Sequence, residues 1–537
     1  MVRSCPFRAF SRDVASLFCV LTILMAGRGM AQVRTGAGPV EGLPAGDDGV
    51  RAYLGIPYAA PPVGALRWQA PRPVTPWQGV RKATAFGARC VQGRIFNDMV
   101  FRDEPSEDCL HLNVWTPAMP GLSGLPVMVW MHGGGFQAGS GSEPRQDGGR
   151  LARKGVVAVT LNYRLGVFGF LAHPELTKAS GHAASGNYGL MDQIAALKWV
   201  ENNIAAFGGD PHNVTIFGES AGSFAVSGLM ASPLAKGLFR RAIGESGAFF
   251  NVDGGVLAPR ALADSERLGM AFGEAIGAAS LAALREKPAQ ELLDAVMRGD
   301  GFRFSPTIDG YVVPRAVPAI YAEGKQARVP LLAGWNADES RMGVVLARPT
   351  AESFSADVRK RFGDQADAIL ESYPAGSDAE ALESAAALAS DQFIGYATWK
   401  WIETHAKTGG SPVYRYSFDR KIPVPPDMAV NGRPVTSSDV GARHAGEIEY
   451  VFGTLDSSPA VPWDAADRKL SDLMMTYWAN FARSGDPNGP TVPAWPRYDG
   501  SASKPVLHLD TEVRAAPDAN RARYELLDAL AGKAPAK

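Results

Sequence analysis

Six runs along the chain are continuously apolar rather than alternating. They are Pro126–Met131, Val156–Leu161, Asn213–Phe217, Arg241–Ile243, Val329–Ala333 and Val413–Ser417. Unbroken apolar strands of this length belong in a parallel sheet covered on both faces. Helical periodicity appears between them. Met191 to Phe207 sets Ile194, Leu197, Val200 and Ile204 on one face. Gly208-Gly209-Asp210-Pro211 then ends that helix and turns the chain into the next strand. Strand and helix in alternation predict an α/β fold around a mostly parallel sheet. No internal repeat or low-complexity linker interrupts residues 32–537, so one large domain with many loops is expected there.

One further apolar stretch, Val14 to Ala26, is of another kind. Three arginines precede it, and Gly29-Met30-Ala31 follows with the small residues a signal peptidase accepts. It is short for a membrane span. Residues 1–31 are therefore expected to be a signal that is removed, leaving a periplasmic or secreted protein without stable membrane association. Composition is ordinary for a soluble protein, 46% hydrophobic and 20% charged, with a formal net charge of −1. Arg3, Arg8, Arg12 and Arg28 leave with the signal, so the mature surface is more acidic still. It has no basic excess to neutralise phosphates, which argues against nucleic acid as a partner. Of the four cysteines, Cys5 and Cys19 lie in the signal. Cys90 and Cys109 remain as an even pair in an exported chain, and a disulfide is expected. Neither has the spacing of a zinc site.

The chemistry concentrates after the Asn213–Phe217 run, at Gly218-Glu219-Ser220-Ala221-Gly222. An apolar strand precedes this pentapeptide, and a small apolar helix, Ala221 to Met230, follows it. A serine on so tight a turn presents its hydroxyl at the sheet edge, and the glycines leave room for the crossing backbone. With 59 glycines in 537 residues, such a motif can arise by accident. It occurs once, however; the nearest decoy, Gly244-Glu245-Ser246-Gly247-Ala248, has its second glycine one place early. Acyl transfer by serine also needs a base, an acid to orient the base, and donors for an oxyanion. His132-Gly133-Gly134-Gly135-Phe136 follows the Pro126–Met131 strand and offers bare N–H groups.

The chain has eight histidines. In this architecture the base follows the serine and the acid in sequence, which leaves His405, His444 and His508. His405 falls in a helix-like run and His508 in a strand-like run. Only His444 stands in a loop, where catalytic groups usually sit. The acid should lie between, just past a strand: Asp338 and Glu339 both qualify, and Asp309 is a third candidate, although Asp309-Gly310 reads more simply as a turn.

At this point the chain resembles the type-B carboxylesterases, the cholinesterase-like branch of the α/β-hydrolases. The resemblance rests on Tyr53-Leu54-Gly55-Ile56-Pro57-Tyr58-Ala59, on Ser106-Glu107-Asp108-Cys109-Leu110-His111-Leu112-Asn113-Val114, and on Gly186-Asn187-Tyr188-Gly189-Leu190-Met191-Asp192. It rests also on Phe217 to Gly222, on Gly446-Glu447-Ile448-Glu449-Tyr450-Val451-Phe452-Gly453, and on Trp478-Ala479-Asn480-Phe481. It spans nearly the whole mature chain.

The resemblance implies an α/β-hydrolase fold with long insertions around the site, and serine ester hydrolysis of a small-molecule substrate without metal or cofactor. It makes Ser220 the nucleophile, Glu339 the triad acid and His444 the base. Gly134, Gly135 and Ala221 would give the oxyanion donors, Glu219 would support the protonated histidine, and Cys90 with Cys109 would be the family's first disulfide. Ser340 stands where many members carry glycine. Amide, carbamate or lactone substrates use the same machinery, and adhesion proteins of the family lack the triad. The natural ester and the oligomeric state are not encoded in any of these motifs.

Other features have plainer readings. Asn213-Val214-Thr215 is a glycosylation sequon in a strand, expected to be buried. Asp192 is expected to favour a helix N-terminus. Trp399, Trp401 and Trp495 are expected in the core. Segments 91–105, 248–305 and 340–395 are expected to shape the pocket. Glu339→Gln and Asp338→Asn separate the two neighbouring acids: the variant of the orienting acid should lose far more esterase rate, measured as kcat/KM, than the variant of its neighbour.

Overall fold

The structure is a computed structural model, and it describes residue 1 and residues 32–119, 121–251, 255, 257–498 and 505–531. The expected signal cleavage and most of the signal segment lie outside the described residues. Ten strands form the central sheet: β1 (Val50–Pro57), β2 (His111–Pro117), β3 (Leu125–Met131), β4 (Val157–Leu161), β5 (Gly209–Glu219), β6 (Arg241–Glu245), β7 (Leu331–Asn336), β8 (Val413–Phe418), β9 (Pro505–Leu509) and β10 (Arg514–Pro517). Their order is β10-β9-β8-β7-β6-β5-β3-β4-β2-β1. Every pair from β9 to β4 is parallel, and the outer pairs β10·β9, β4·β2 and β2·β1 are antiparallel. All six apolar runs are strands of this sheet.

Alternate residues of each strand enter different cores. Val127, Val129 and Met131 of β3, with Val214 and Ile216 of β5, join one apolar cluster; Met128, Trp130 and Phe217 join the other. This is the two-fold alternation of a strand read on a sheet with both faces covered. Helices α1 (Tyr188–Asn203) and α2 (Ala221–Ala231) cover the first face through Ile194, Leu197, Phe224 and Val226. On the same side lies α3 (Tyr396–Thr408), which carries Trp399 and Trp401 into the core as expected. The second face is covered by α4 (Ala465–Ser484), through Met474, Trp478 and Phe481, with Trp495 among them. α1 runs into a tighter turn over Ile204–Phe207, and Gly208 stops it at φ 88°.

Two minor expectations are corrected. Asn213 lies in β5 but is only half-buried, because the pairing with β3 is broken between Gly209 and Val214 and residues 210–213 leave the ladder. Its side-chain oxygen accepts from Arg241 Nη1. Asp192 is not a helix-terminus residue. It lies one turn inside α1, fully buried, and accepts from Arg164 Nη2 at 2.7 Å, Arg164 Nε at 2.8 Å and the Arg164 backbone N–H at 3.0 Å. The pair locks α1 to the segment after β4. Asp309 makes the turn expected of it, accepting from the N–H groups of Tyr311 and Val313.

Cys90 and Cys109 are joined in a disulfide, 19 residues apart, which suits an oxidising compartment. Among the described residues, no helix is long and apolar enough to cross a membrane.

Strands β3, β5, β6 and β7 end side by side, at Met131, Glu219, Glu245 and Asn336. The candidate catalytic residues follow directly after these ends, on the edge where ligands bind in open α/β sheets. Removing one partner of a buried ion pair typically destabilises by about 3–5 kcal/mol. Asp192→Asn, which strands the Arg164 guanidinium, should therefore lower stability by about that amount in chemical denaturation. A shift below about 1 kcal/mol would show that the pair does not hold α1 in place.

Candidate active site

Ser220 is the only residue between β5 and α2, with φ 51° and ψ −124°. A non-glycine residue held there is strained and needs support on both sides. Its N–H donates to the Glu245 carbonyl at 2.9 Å, and its own carbonyl accepts from Phe224 N–H at 2.9 Å. The flanking glycines are forced by contact. A Cβ at residue 222 would stand 1.8 Å from the Met131 carbonyl oxygen, and one at residue 218 would stand 2.6 Å from the same atom.

The glycine loop packs directly against this turn. A Cβ at residue 133 would lie 3.2 Å from Ser220 Cβ. Gly134, Gly135 and Phe136 are three consecutive residues with positive φ, at 95°, 63° and 59°. The turn is closed by the Gly134 carbonyl, which accepts from the N–H groups of Gln137 and Ala138. The N–H of Ala221, first residue of α2, has no acceptor within its helix. Successive N–H groups in such a loop form an anion-binding concavity. His132, at the head of the loop, is no base: its ring stacks on Tyr163, and burial holds it down to about 4.

His444 reaches the serine from the other side. Its Nε2 lies 2.9 Å from Ser220 Oγ, and its Nδ1 lies 2.5 Å from Glu339 Oε2. The other Glu339 oxygen accepts from Asn336 N–H at 2.8 Å, which fixes the carboxylate at the end of β7. Asp338 points elsewhere. Its Oδ2 accepts from Ala442 N–H at 3.0 Å, and its own N–H donates to the Ala442 carbonyl. Asp338 thus pins the loop that carries His444, while Glu339 touches the ring. His405 is buried in α3, its Nε2 2.9 Å from the Val329 carbonyl, and His508 pairs with Asp419. Neither is near Ser220.

Acidic groups crowd this imidazole. Glu219 Oε1 lies 3.3 Å from His444 Nε2 and receives no hydrogen bond. Burial alone would push the His444 pKa down, but Glu219 and Glu339 outweigh it and hold the ring up, at about 9. Burial pushes Glu219 up to about 8, against the attraction of His444. Two residues that the sequence did not single out complete the cluster. Glu447, fully buried, accepts from Asn336 Nδ2 at 2.6 Å and from the Ser246 hydroxyl at 3.2 Å; burial and Glu339 raise it to about 7. Ser246 belongs to the decoy pentapeptide and mirrors Ser220 one strand over. It has φ 58°, and its N–H donates to the Gly334 carbonyl as Ser220 N–H donates to that of Glu245. Glu447 stood inside a quoted motif, but nothing in the sequence placed it near Asn336.

The three segments expected to shape the pocket all reach this region. Met99 lies against Gly134, Arg303 against Gly135, and the Phe393 ring is 5.1 Å from that of His444.

The family model described as the carboxylesterase family matches residues 30–527. The chain belongs to the carboxylesterase family. It is accordingly an ester-hydrolysing enzyme with the α/β-hydrolase fold. Over 489 residues it is 40% identical to the fumonisin B1 esterase of Sphingopyxis macrogoltabida, covering 87% of this chain and 84% of that protein. Over 498 residues it is 37% identical to the para-nitrobenzyl esterase of Bacillus subtilis, covering 90% of this chain and 95% of that one. A solved PNB esterase structure superposes with a TM-score of 0.76 at 35% identity, over 92% of this chain and 99% of the other.

Glu219 offers a test of the electrostatics. As the candidate base, His444 would take a proton only when neutral, so on that reading kcat/KM should rise with pH through its titration. Glu219 favours the imidazolium and so holds that titration at higher pH. Glu219→Gln should therefore move the acid limb of the kcat/KM profile to lower pH, with a fall in the plateau rate. An acid limb that stays in place or moves up would contradict this role.

Proposed function

We propose that this carboxylesterase works through Ser220, His444 and Glu339 and passes through an acyl-enzyme. The observation that carries this reading is the unbroken run of contacts from Glu339 through His444 to Ser220 Oγ, at 2.5 and 2.9 Å. His444 Nε2 takes the hydroxyl proton as Ser220 Oγ attacks the ester carbonyl. Glu339 keeps Nδ1 protonated and offsets the charge that forms on the ring. The carbonyl oxygen becomes an oxyanion held by the N–H groups of Gly134, Gly135 and Ala221, which are fixed before the reaction and need no reorganisation. The alcohol leaves with the proton from His444. Water then repeats the sequence on the acyl-enzyme, with His444 again as base, and the acid departs. Glu219 lends further support to the imidazolium, and Glu447, held by Ser246 and Asn336, is the outer layer of the same cluster.

The reading extends to the whole chain. Residues 1–31 direct export and are removed, residues 32–537 form the catalytic domain, and the Cys90–Cys109 disulfide forms outside the cytoplasm. The substrate is a small-molecule carboxylic ester.

The test is turnover of p-nitrophenyl esters of increasing acyl length by the protein from Gln32 onward, with Ser220→Ala as control. Loss of the nucleophile in a serine hydrolase lowers kcat by roughly 10⁶-fold. Ser220→Ala should fall to near background while its denaturation profile stays that of the wild type. A variant that keeps most of its rate would sink the assignment.

A further inference from the structure

Gln92 lies two residues past Cys90 and is buried. Its side-chain amide is engaged wholly by backbone. Oε1 accepts from the Gly139 N–H at 2.7 Å, and Nε2 donates to the Gly139 carbonyl at 2.8 Å and to the Cys90 carbonyl at 3.0 Å. The amide thus takes both polar groups of Gly139, as the backbone of a neighbouring strand would. A buried polar group with its partners satisfied rigidifies what it binds. Gln92 is itself well anchored. Cys90 is held by the disulfide to Cys109 and by a short parallel ladder that pairs Arg89 with Pro105 and Cys90 with Ser106. Just before that ladder, the Ala88 carbonyl accepts from Asn162 Nδ2 at 3.0 Å.

Gly139 closes the glycine loop. It has φ 118°, and it packs on the first residues of that loop. A Cβ at residue 139 would stand 2.2 Å from His132 Nδ1 and 2.8 Å from the Gly133 carbonyl oxygen. One residue earlier, the Ala138 carbonyl oxygen lies 2.1 Å from where a Cβ at residue 134 would stand. The Ala138 N–H donates to the Gly134 carbonyl at 3.0 Å. In packing this close, a shift of Ala138 and Gly139 is passed on to Gly133 and Gly134. The hydrogen bonds of Gln92 go to Gly139 and Cys90 rather than to Ser220, so it acts on the site through the loop.

We propose that Gln92 is the positioning residue of the oxyanion site. By holding both backbone groups of Gly139, it sets where the N–H groups of Gly134 and Gly135 stand when the ester carbonyl becomes charged. Its effect is on the transition state, because the ground-state ester has no oxyanion for those donors to hold. This inference rests on the serine-esterase reading and deepens its account of the oxyanion donors.

The experiment compares wild type with Gln92→Met and Gln92→Glu. The first keeps the length of the side chain and loses both bonds to Gly139. The second keeps the acceptor for the Gly139 N–H but turns an oxygen toward its carbonyl. Two quantities are measured: kcat/KM on a p-nitrophenyl ester, and competitive inhibition by hexyl trifluoromethyl ketone and by the corresponding carbinol. Ser220 Oγ adds to the ketone carbonyl carbon, its proton passes to His444, and the carbonyl oxygen becomes an oxyanion. The carbinol has no carbonyl and forms no adduct. A misplacement of about 1 Å can cost roughly 10²-fold in rate. Both variants should therefore lose about 10–10²-fold in kcat/KM and a similar factor in ketone affinity, with carbinol affinity held. Should Gln92→Met not fold, Gln92→Glu carries the same comparison. The proposal alone is overturned if the rate is kept, if the rate falls while ketone affinity stays, if ketone and carbinol weaken alike, or if neither variant folds. The last two results would make Gln92 only a prop for the fold. A wild type that binds the ketone no more tightly than the carbinol overturns the serine-esterase reading with it.

Discussion

Everything at the catalytic edge depends on one steric constraint: strand β3 and helix α2 approach so closely that residue 222 can carry no side chain. A Cβ there would meet the Met131 carbonyl at 1.8 Å. That approach holds Ser220 at a positive φ and aims its hydroxyl off the sheet. It also brings the glycine loop after Met131 against the same turn. The proposed nucleophile and oxyanion donors are therefore positioned by a single packing event. The strain at Ser220 persists because β5, β6 and α2 over-determine it.

The second theme is the distribution of buried charge. Most buried charges are closed off in pairs that fasten segments together, such as Arg164 with Asp192 across the start of α1. At the catalytic edge the pattern changes. Glu219, Glu339 and Glu447 gather around one imidazole, and burial makes two of them reluctant to ionise. These acids favour the charged form of the ring, and in the proposed mechanism that is the form His444 takes when it accepts the proton of Ser220.

Much of the fold was legible because parallel strands buried on both faces leave unbroken apolar runs. The six central runs are strands, and their ends came within a few residues of those observed. The elbow and the glycine loop were legible for a local reason: each is a backbone shape that only glycine permits, so the sequence must spell it out. His444, which the structure sets beside Ser220, was singled out by elimination, since a helix or strand interior is a poor place for a base.

What the sequence by itself determined was the local backbone: where strands run, where the chain turns too tightly for a side chain, and where a loop carries histidine. Only the tertiary structure decided between partners. Asp338 and Glu339 are adjacent and chemically alike. Which one meets His444 depends on how a loop about a hundred residues later packs on the end of β7. That loop takes its backbone hydrogen bonds from Asp338 and leaves Glu339 the ring. Ser246 and Glu447 joined the site for the same reason: β6 ends beside β5, and the chain just after His444 sets the Glu447 carboxylate on Asn336 and Ser246. Asp192, plausible as a helix-terminus acid, went instead to a buried arginine that the sequence places 28 residues away. Such pairings are set by register and packing across the sheet, and no local pattern encodes them.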